Sequence, residues 1–360
     1  MKVAIARGAH EYGGIYRRFR ELCAYCNGRH ELLGLLLLGE SDAPVATPVR
    51  TLSYAASHVE MSTLMHARSI DEVLGACEGI IKRVVADLER ERPDKVMATD
   101  TDLKGLCVIA ACRRLGLKAT AFVAGLSSLE SAYGGHRVLS AVMTLVERYC
   151  LEKADALIFP SRRTAELCAG RYPEMAPYHV IYNGIAEPFL HHPGPAPEGR
   201  RIGAVMRLYA IKNPEMLGKI VGPLDERGFS LELVADVKGK QRALHALGAT
   251  KIREPMLDTP SLANFYAGCH AVVVPSRFEV SGNVPMEAIA VGTPAVITEE
   301  VGIAEIYHTV GLSHLIVPVD DVAATVERLV HAEPVPPAAR EHLRKNCSWT
   351  AACERILDVL

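Results

Sequence analysis

Two glutamates eight positions apart, Glu279 and Glu287, flank a run of small residues, Ser281-Gly282-Asn283, followed by Val284 and Pro285. The stretch from 272 to 296 reads as strand, loop, helix, glycine stop and strand. Pro285 suits a first helical turn, where its missing N–H costs nothing, and Gly292 suits the far end. A helix that starts just beyond the carboxyl end of a strand offers unpaired N–H groups and a positive dipole end, a seat that suits a diphosphate. On this reading Glu287 stands in the first turn. As an acceptor-only side chain beside phosphates it would hold hydroxyls such as a ribose diol, and Glu279 in the loop could similarly hold sugar hydroxyls. Either carboxylate alone is equally explained without a ligand, Glu287 by compensation of the helix dipole and Glu279 by solvation.

Arg207 and Lys212 follow the apolar run Arg201 to Met206, which places both at a sheet's carboxyl edge, where they could neutralise a departing diphosphate in place of a metal. Taken singly they are ordinary surface charges. In the first half, Gly13 and Gly14 close the segment His10-Glu11-Tyr12 between the first strand and first helix, and let a ligand approach that helix or simply make a tight turn. Arg17, Arg18 and Arg20 lie beside Ile15, Tyr16 and Phe19; they read as a solvated basic face, with contact to an anionic lipid surface or acceptor phosphate as the alternative. Asp100 and Asp102 follow the run Lys95 to Thr99 and point toward the same crevice.

Short apolar runs alternating with amphipathic stretches give an α/β class with parallel sheets. The strand candidates are Val3–Ala6, Leu32–Leu38, Lys95–Thr99, Ala119–Val123, Ala156–Phe159 and Val180–Tyr182, then Arg201–Met206, Ser230–Ala235, Ala271–Pro275, Ala295–Thr298 and Leu315–Val317. Helical patterns include Ile15–Cys26, Leu103–Leu115 and Val138–Lys153. The proline- and glycine-rich segment His191–Gly199 reads as a hinge between two domains. The expected domains are 1–187, 188–345 and a last helix, 346–360, that packs back toward the first. At 360 residues two domains are the default. Apolar residues make up 49% and charged residues 23%, which excludes disorder. A net charge of -2 offers no polycationic field for nucleic acid. No apolar run reaches the ~20 residues of a membrane helix, and the first residues do not resemble a secretory signal, so a cytoplasmic place, with peripheral membrane association open, is expected. The 10 cysteines show no metal-ligand spacing; Cys23 and Cys26, the close pair, read as buried structural thiols.

Taken with Pro275-Ser276 and Gly292-Thr293-Pro294, the two glutamates resemble the E-x7-E signature of the family-4 retaining glycosyltransferases. Ala154–Ser161, Val180–Ile185, Arg207-Leu208 with Lys212-Asn213-Pro214, and Ser348-Trp349 extend the resemblance, which is strong from about residue 150 onward. It implies a GT-B fold, two Rossmann-like domains facing across a cleft, with the acceptor held mainly by the first and a nucleotide-diphosphate sugar by the second. It implies transfer with retention, without a separate protein nucleophile or a metal. UDP- and GDP-sugars come first among donors; the acceptor, a glycan, lipid or small molecule, stays open. Arg207, Lys212 and Glu279 take the catalytic places. Gly13, Gly14, Arg253, Ser281, Gly282, Asn283, Val284 and Glu287 take the donor contacts, Arg253 standing where such enzymes meet the base through backbone atoms. One departure stands out: Ala124-Gly125 occupies the place of a family histidine-glycine pair, and His136 is the nearest substitute in sequence. Two rivals remain, a nucleotide-sugar-binding subunit without activity and another GT-B enzyme such as a sugar-nucleotide epimerase or phosphorylase.

Overall fold

The structure, a computed structural model, describes residues 1–8, 14–39, 49–197, 199–236, 247, 251–254 and 258–360, with the side chains of 14 and 15 set aside. The chain divides into two compact units, Met1–Ile181 with Ala352–Leu360, and Tyr182–Ala351. The chain therefore passes from one unit to the other at Ile181, ten residues before the proline-rich segment. That segment is part of the second unit: Ala196 N–H donates to the Ala267 carbonyl at 2.8 Å. The last amphipathic stretch is two helices, Pro337–Asn346 and Trp349–Val359, and only Ala352–Leu360 counts with the first unit.

The first unit holds seven strands: β1 (Lys2–Gly8), β2 (Glu31–Gly39), β3 (Arg50–Ala55), β4 (Lys95–Ala98), β5 (Ala119–Phe122), β6 (Ala156–Phe159) and β7 (Tyr178–Val180). They form one sheet in the order β3-β2-β1-β4-β5-β6-β7. Every pair in it is parallel. The near-continuous apolar runs of β1, β2 and β5 follow from that, because helices cover both faces of such a sheet and leave no polar side. The second unit repeats the plan with β8 (Arg201–Val205), β9 (Ser230–Val234), β10 (Lys251–Arg253), β11 (Ala271–Val274), β12 (Ala295–Thr298) and β13 (Ile316–Val317). Their order is β10-β9-β8-β11-β12-β13, again all parallel. β11 and β12 are buried along their whole length.

In each sheet the chain runs outward from a central strand, β1 or β8, and then returns to that strand's other side as β4 or β11. The crevice between β1 and β4, and that between β8 and β11, are the switch points at which open parallel sheets receive ligands. Helix boundaries fix the loops there. Asp102 caps Leu103–Leu115 by accepting from Lys104 N–H, and Gly116, at φ 67°, ends it. Gly292, at φ 104°, ends Asn283–Val291. Among the described residues no helix is long and apolar enough to cross a membrane.

Candidate active site

The loops that leave β8 and β11 meet. Lys212 closes a short 3-10 turn, Ala210–Lys212, after β8. Its Nζ stands 3.0 Å from Glu279 Oε1 in the loop after β11. Ser276 Oγ donates to the same carboxylate oxygen at 2.7 Å. The backbone holds Glu279 from the far side: its N–H donates to Glu300 at 3.1 Å, and its carbonyl accepts from Gly302 at 2.9 Å. Asn213, fully buried at φ 57°, ties the Lys212 loop down, since Nδ2 donates to the Pro275 carbonyl at 3.1 Å and to Asp320 Oδ1 at 3.0 Å. Arg277 braces the same loops through the Ala210 carbonyl and Glu215. Arg207 lies in the same β8 loop, exposed, with its guanidinium 5.1 Å from the centre of the Tyr209 ring. Arg207, Lys212 and Glu279, from two segments of sequence, thus share the carboxyl edge of two neighbouring strands.

The helix Asn283–Val291 begins at that edge. Its N-cap, Gly282, has φ 131°, and a Cβ there would stand 2.7 Å from Val301 Cγ1 and 2.9 Å from Ile303 Cγ1. Only glycine fits. No side chain caps this helix end, so the N–H groups of Asn283 and Val284 have no acceptor within the helix. Asn183 fixes the entry, with Nδ2 donating to Asn283 Oδ1 at 2.9 Å and to Ser281 Oγ at 3.3 Å. Asn183 is absent from the candidates read in the sequence; it sits in the stretch Val180–Ile185, where its amide was the available signal. Among the described residues no group of three or more His, Cys, Asp or Glu is placed to hold a metal ion.

Glu287 departs from the sequence reading. It is the fifth residue of its helix, in the second turn and not the first, because the helix begins at Asn283. It is 4% exposed, and its Oε2 accepts from the buried Tyr266 hydroxyl at 3.2 Å. Arg253 ends β10, two strands out from β8, about 10 Å, and its guanidinium pairs with Glu232, itself 3% exposed. Glu232 takes Arg201 as well, at 3.4 Å, so this cluster is an anchor for the edge of the sheet.

In the first unit Gly13 and the loop before it lie outside the described residues, and Gly14 is the first residue of the helix Gly14–Cys26. The expected solvated basic face on this helix is corrected at its centre. Arg18 is 2% exposed with its guanidinium 3.5 Å from the Phe122 ring centre, and burial lowers its pKa to about 9; of the three arginines Arg20 alone is exposed. Cys23 and Cys26 are buried on the same helix, and burial pushes the Cys23 thiol up to about 12, so it stays protonated and inert at neutral pH. His136 is exposed at the N-cap of Arg137–Lys153. It follows the far end of Ser127–Tyr133, a helix of roughly 10 Å. The start of Ser127–Tyr133 is anchored by Glu147, 1% exposed, which accepts from Ser128 N–H at 2.8 Å, Ser128 Oγ at 2.6 Å and Tyr172 at 3.2 Å. A hollow of about 500 Å³ beside Lys2 and Asp94 lies at the opposite edge of this sheet and touches none of these residues.

Two parallel-sheet domains of this plan define the GT-B fold. Residues 13–184 match the family described as "Glycosyl transferase 4-like domain", and residues 199–332 match "Glycosyl transferases group 1". The chain is therefore built from two glycosyltransferase-type domains in succession. It is 27% identical over 291 residues to D-inositol 3-phosphate glycosyltransferase 1 of Catenulispora acidiphila, a match that takes in 71% of this chain and 66% of that protein's length. The fold is shared with sucrose-phosphate synthase of Thermosynechococcus elongatus at TM-score 0.78 and 18% identity, covering 99% and 97% of the two chains. It is shared with Anabaena HepE, solved with UDP and glucose, at TM-score 0.71 and 16% identity, covering 99% and 98%.

Proposed function

We propose that this chain is a retaining glycosyltransferase that moves a sugar from a nucleotide-diphosphate donor to an acceptor hydroxyl, with the donor held by the second unit. The observation that carries this reading is the Lys212–Glu279 pair beside Arg207, at the start of an uncapped helix. A diphosphate over the N–H groups of Asn283 and Val284 would be neutralised by Arg207 and Lys212. Lys212 would then exchange Glu279 for phosphate, and the released carboxylate, still held by Ser276, would accept hydrogen bonds from sugar hydroxyls. Glu287 would serve the ribose after parting from Tyr266. The departing diphosphate would carry negative charge onto cations already in place, which lowers the barrier without a metal. The name of the Catenulispora relative favours a polyol acceptor.

The test is release of nucleotide diphosphate from UDP-, GDP-, ADP- and dTDP-sugars in the presence of sugars, cyclitols and their phosphates, with the anomeric configuration of the product read by proton NMR. Retention, and turnover undiminished by EDTA, is the expected result; inversion or dependence on added metal refutes the mechanism. Ala124, where the resembled family carries a histidine, keeps one rival in view, a nucleotide-sugar-binding subunit. Tight diphosphate binding with no turnover on any donor and acceptor would favour it.

A further inference from the structure

The loop that carries Arg207 and Lys212 is a chain of tight turns. Tyr209 N–H donates to the Arg207 carbonyl at 2.8 Å, Lys212 N–H to the Tyr209 carbonyl at 2.8 Å, and Asn213 N–H to the Ala210 carbonyl at 3.0 Å. A run of turns is among the least constrained kinds of backbone, so its geometry depends on what holds its end. It ends at Asn213, and the next residue opens the helix Pro214–Asp225. That helix packs against Val322–Val330, whose N-cap is Asp321. Residues just ahead of the two helices touch: Asn213 Nδ2 donates to Asp320 Oδ1 at 3.0 Å.

Both residues have left-handed backbone, Asn213 at φ 57° and Asp320 at φ 61°. Among the described residues only four non-glycine positions have a positive φ, and two of the four meet here, beside Lys212. Glycine would hold either backbone without strain, so each side chain must be kept for what it does. Asn213 is fully buried and shares Nδ2 between the Asp320 carboxylate and the Pro275 carbonyl, while its Oδ1 is unpaired. Two acceptors on one side fix the way its amide faces. Asp320 is not part of the core: its side chain is 44% exposed, and its further partner is Arg277 Nη2 at 3.6 Å. An ion pair so open to solvent adds little to stability. Strained backbone retained for an exposed carboxylate therefore directs attention to the loop that the carboxylate holds.

Resting on the glycosyltransferase reading, we propose that Asp320 is a positioning residue for Lys212: through Asn213 it fixes the end of the cation-bearing loop, so that Lys212 Nζ stays beside Glu279 and within reach of the donor diphosphate. The experiment is a double-mutant cycle on the full-length protein, with Asp320→Gly, Lys212→Ala and the two combined, and with Asp320→Asn as the conservative variant. Three quantities are read: kcat with the donor that turns over, the Kd of UDP, GDP, ADP or dTDP, whichever binds, and the melting temperature. Asp320→Gly removes the carboxylate and relieves the backbone. It should lower kcat by about 10- to 100-fold, as displacement of a charged group by about an ångström does, and weaken diphosphate binding with it, while the melting temperature does not fall. Asp320→Asn keeps an acceptor oxygen toward Asn213 and should restore most of the rate. In the Lys212→Ala background Asp320→Gly should have no further effect, because the group that it positions is gone.

Wild-type rate and affinity in Asp320→Gly overturn the proposal. A loss that persists undiminished in the Lys212→Ala background also overturns it and assigns the effect to Arg277, and a loss that only tracks a lowered melting temperature overturns it in favour of a structural role. A wild type that binds a nucleotide diphosphate but turns over no donor removes the transferase reading, and the cycle in Kd then decides the positioning role by itself. A wild type that binds none of the four removes both. If Asp320→Gly does not fold, Asn213→Gly, which empties the other side of the contact, takes its place in the same cycle.

Discussion

At the scale of single residues, the ion pair between Lys212 and Glu279 sets the expectations for catalysis. Lys212 is fixed by the loop that Asn213 ties down, and Glu279 by hydrogen bonds on both of its faces. Lys212→Ala should reduce kcat by about 100- to 1,000-fold, as removal of one preorganised charge-stabilising group does. Glu279→Gln keeps the shape and loses the charge. It should weaken kcat with less effect on diphosphate binding, a split visible in initial rates beside UDP or GDP titrations. Gly282→Ala tests the helix entry. A side chain at φ 131° against Val301 and Ile303 costs about 1–3 kcal/mol in strain. The variant should melt several degrees lower and lose diphosphate affinity together; unaltered affinity in a destabilised variant would detach the helix N-terminus from the anion.

At the scale of elements, the amino-terminal edge of the first sheet depends on Glu91, whose side chain is 6% exposed. It pairs with Lys2 of β1 at 3.0 Å and with Arg50 of β3 at 2.7 Å, and these partners lower its pKa from an ordinary 4.5 to about 2. A carboxylate with a lowered folded pKa stabilises the fold above its unfolded pKa and loses that contribution as pH falls through the folded one. Glu91→Gln should therefore be less stable than wild type at neutral pH, with the difference shrinking between pH 4.5 and about 2; a constant difference across that window would deny the ion pairs a role. β3 is also the strand the sequence does not announce. Its edge position leaves only Tyr54 and Ala55 buried, so Arg50–Ala55 lacks the apolar run that marks the central strands. β10, three residues at the other sheet's edge, is silent for the same reason. The central strands and the helix Leu103–Leu115 were legible because burial on both faces and terminal caps write themselves into local sequence. Burial of a single polar side chain does not: Arg18, Glu287 and Asp100 are set by what packs on them from distant segments, and their neighbours along the chain carry no sign of it. Arg207, Lys212 and Glu279 could be read because strand ends in a parallel sheet are themselves predictable, so residues just past them share an edge.

At the scale of the whole molecule, two sheets with separate cores predict that ligand binding and unfolding are divided between units. The second unit, Tyr182–Ala351, contains Arg207, Lys212, Glu279 and the Asn283–Val291 helix, and the first contains none of them. A nucleotide diphosphate that binds only the folded second unit stabilises that unit alone, by about 2.7 kcal/mol at a hundred times its Kd. In a unit of this size that corresponds to roughly 5–10 °C. Scanning calorimetry with saturating UDP or GDP should accordingly raise one part of the unfolding endotherm and leave the remainder near its ligand-free position. Arg207→Ala and Lys212→Ala should abolish the shift without moving the ligand-free profile by more than a degree or two, since both side chains lie outside the core. Asp100→Asn should keep the shift whole, because its carboxylate belongs to the other unit. A nucleotide-induced shift lost in Asp100→Asn, or retained in the two cation variants, would place the diphosphate away from the crevice between β8 and β11.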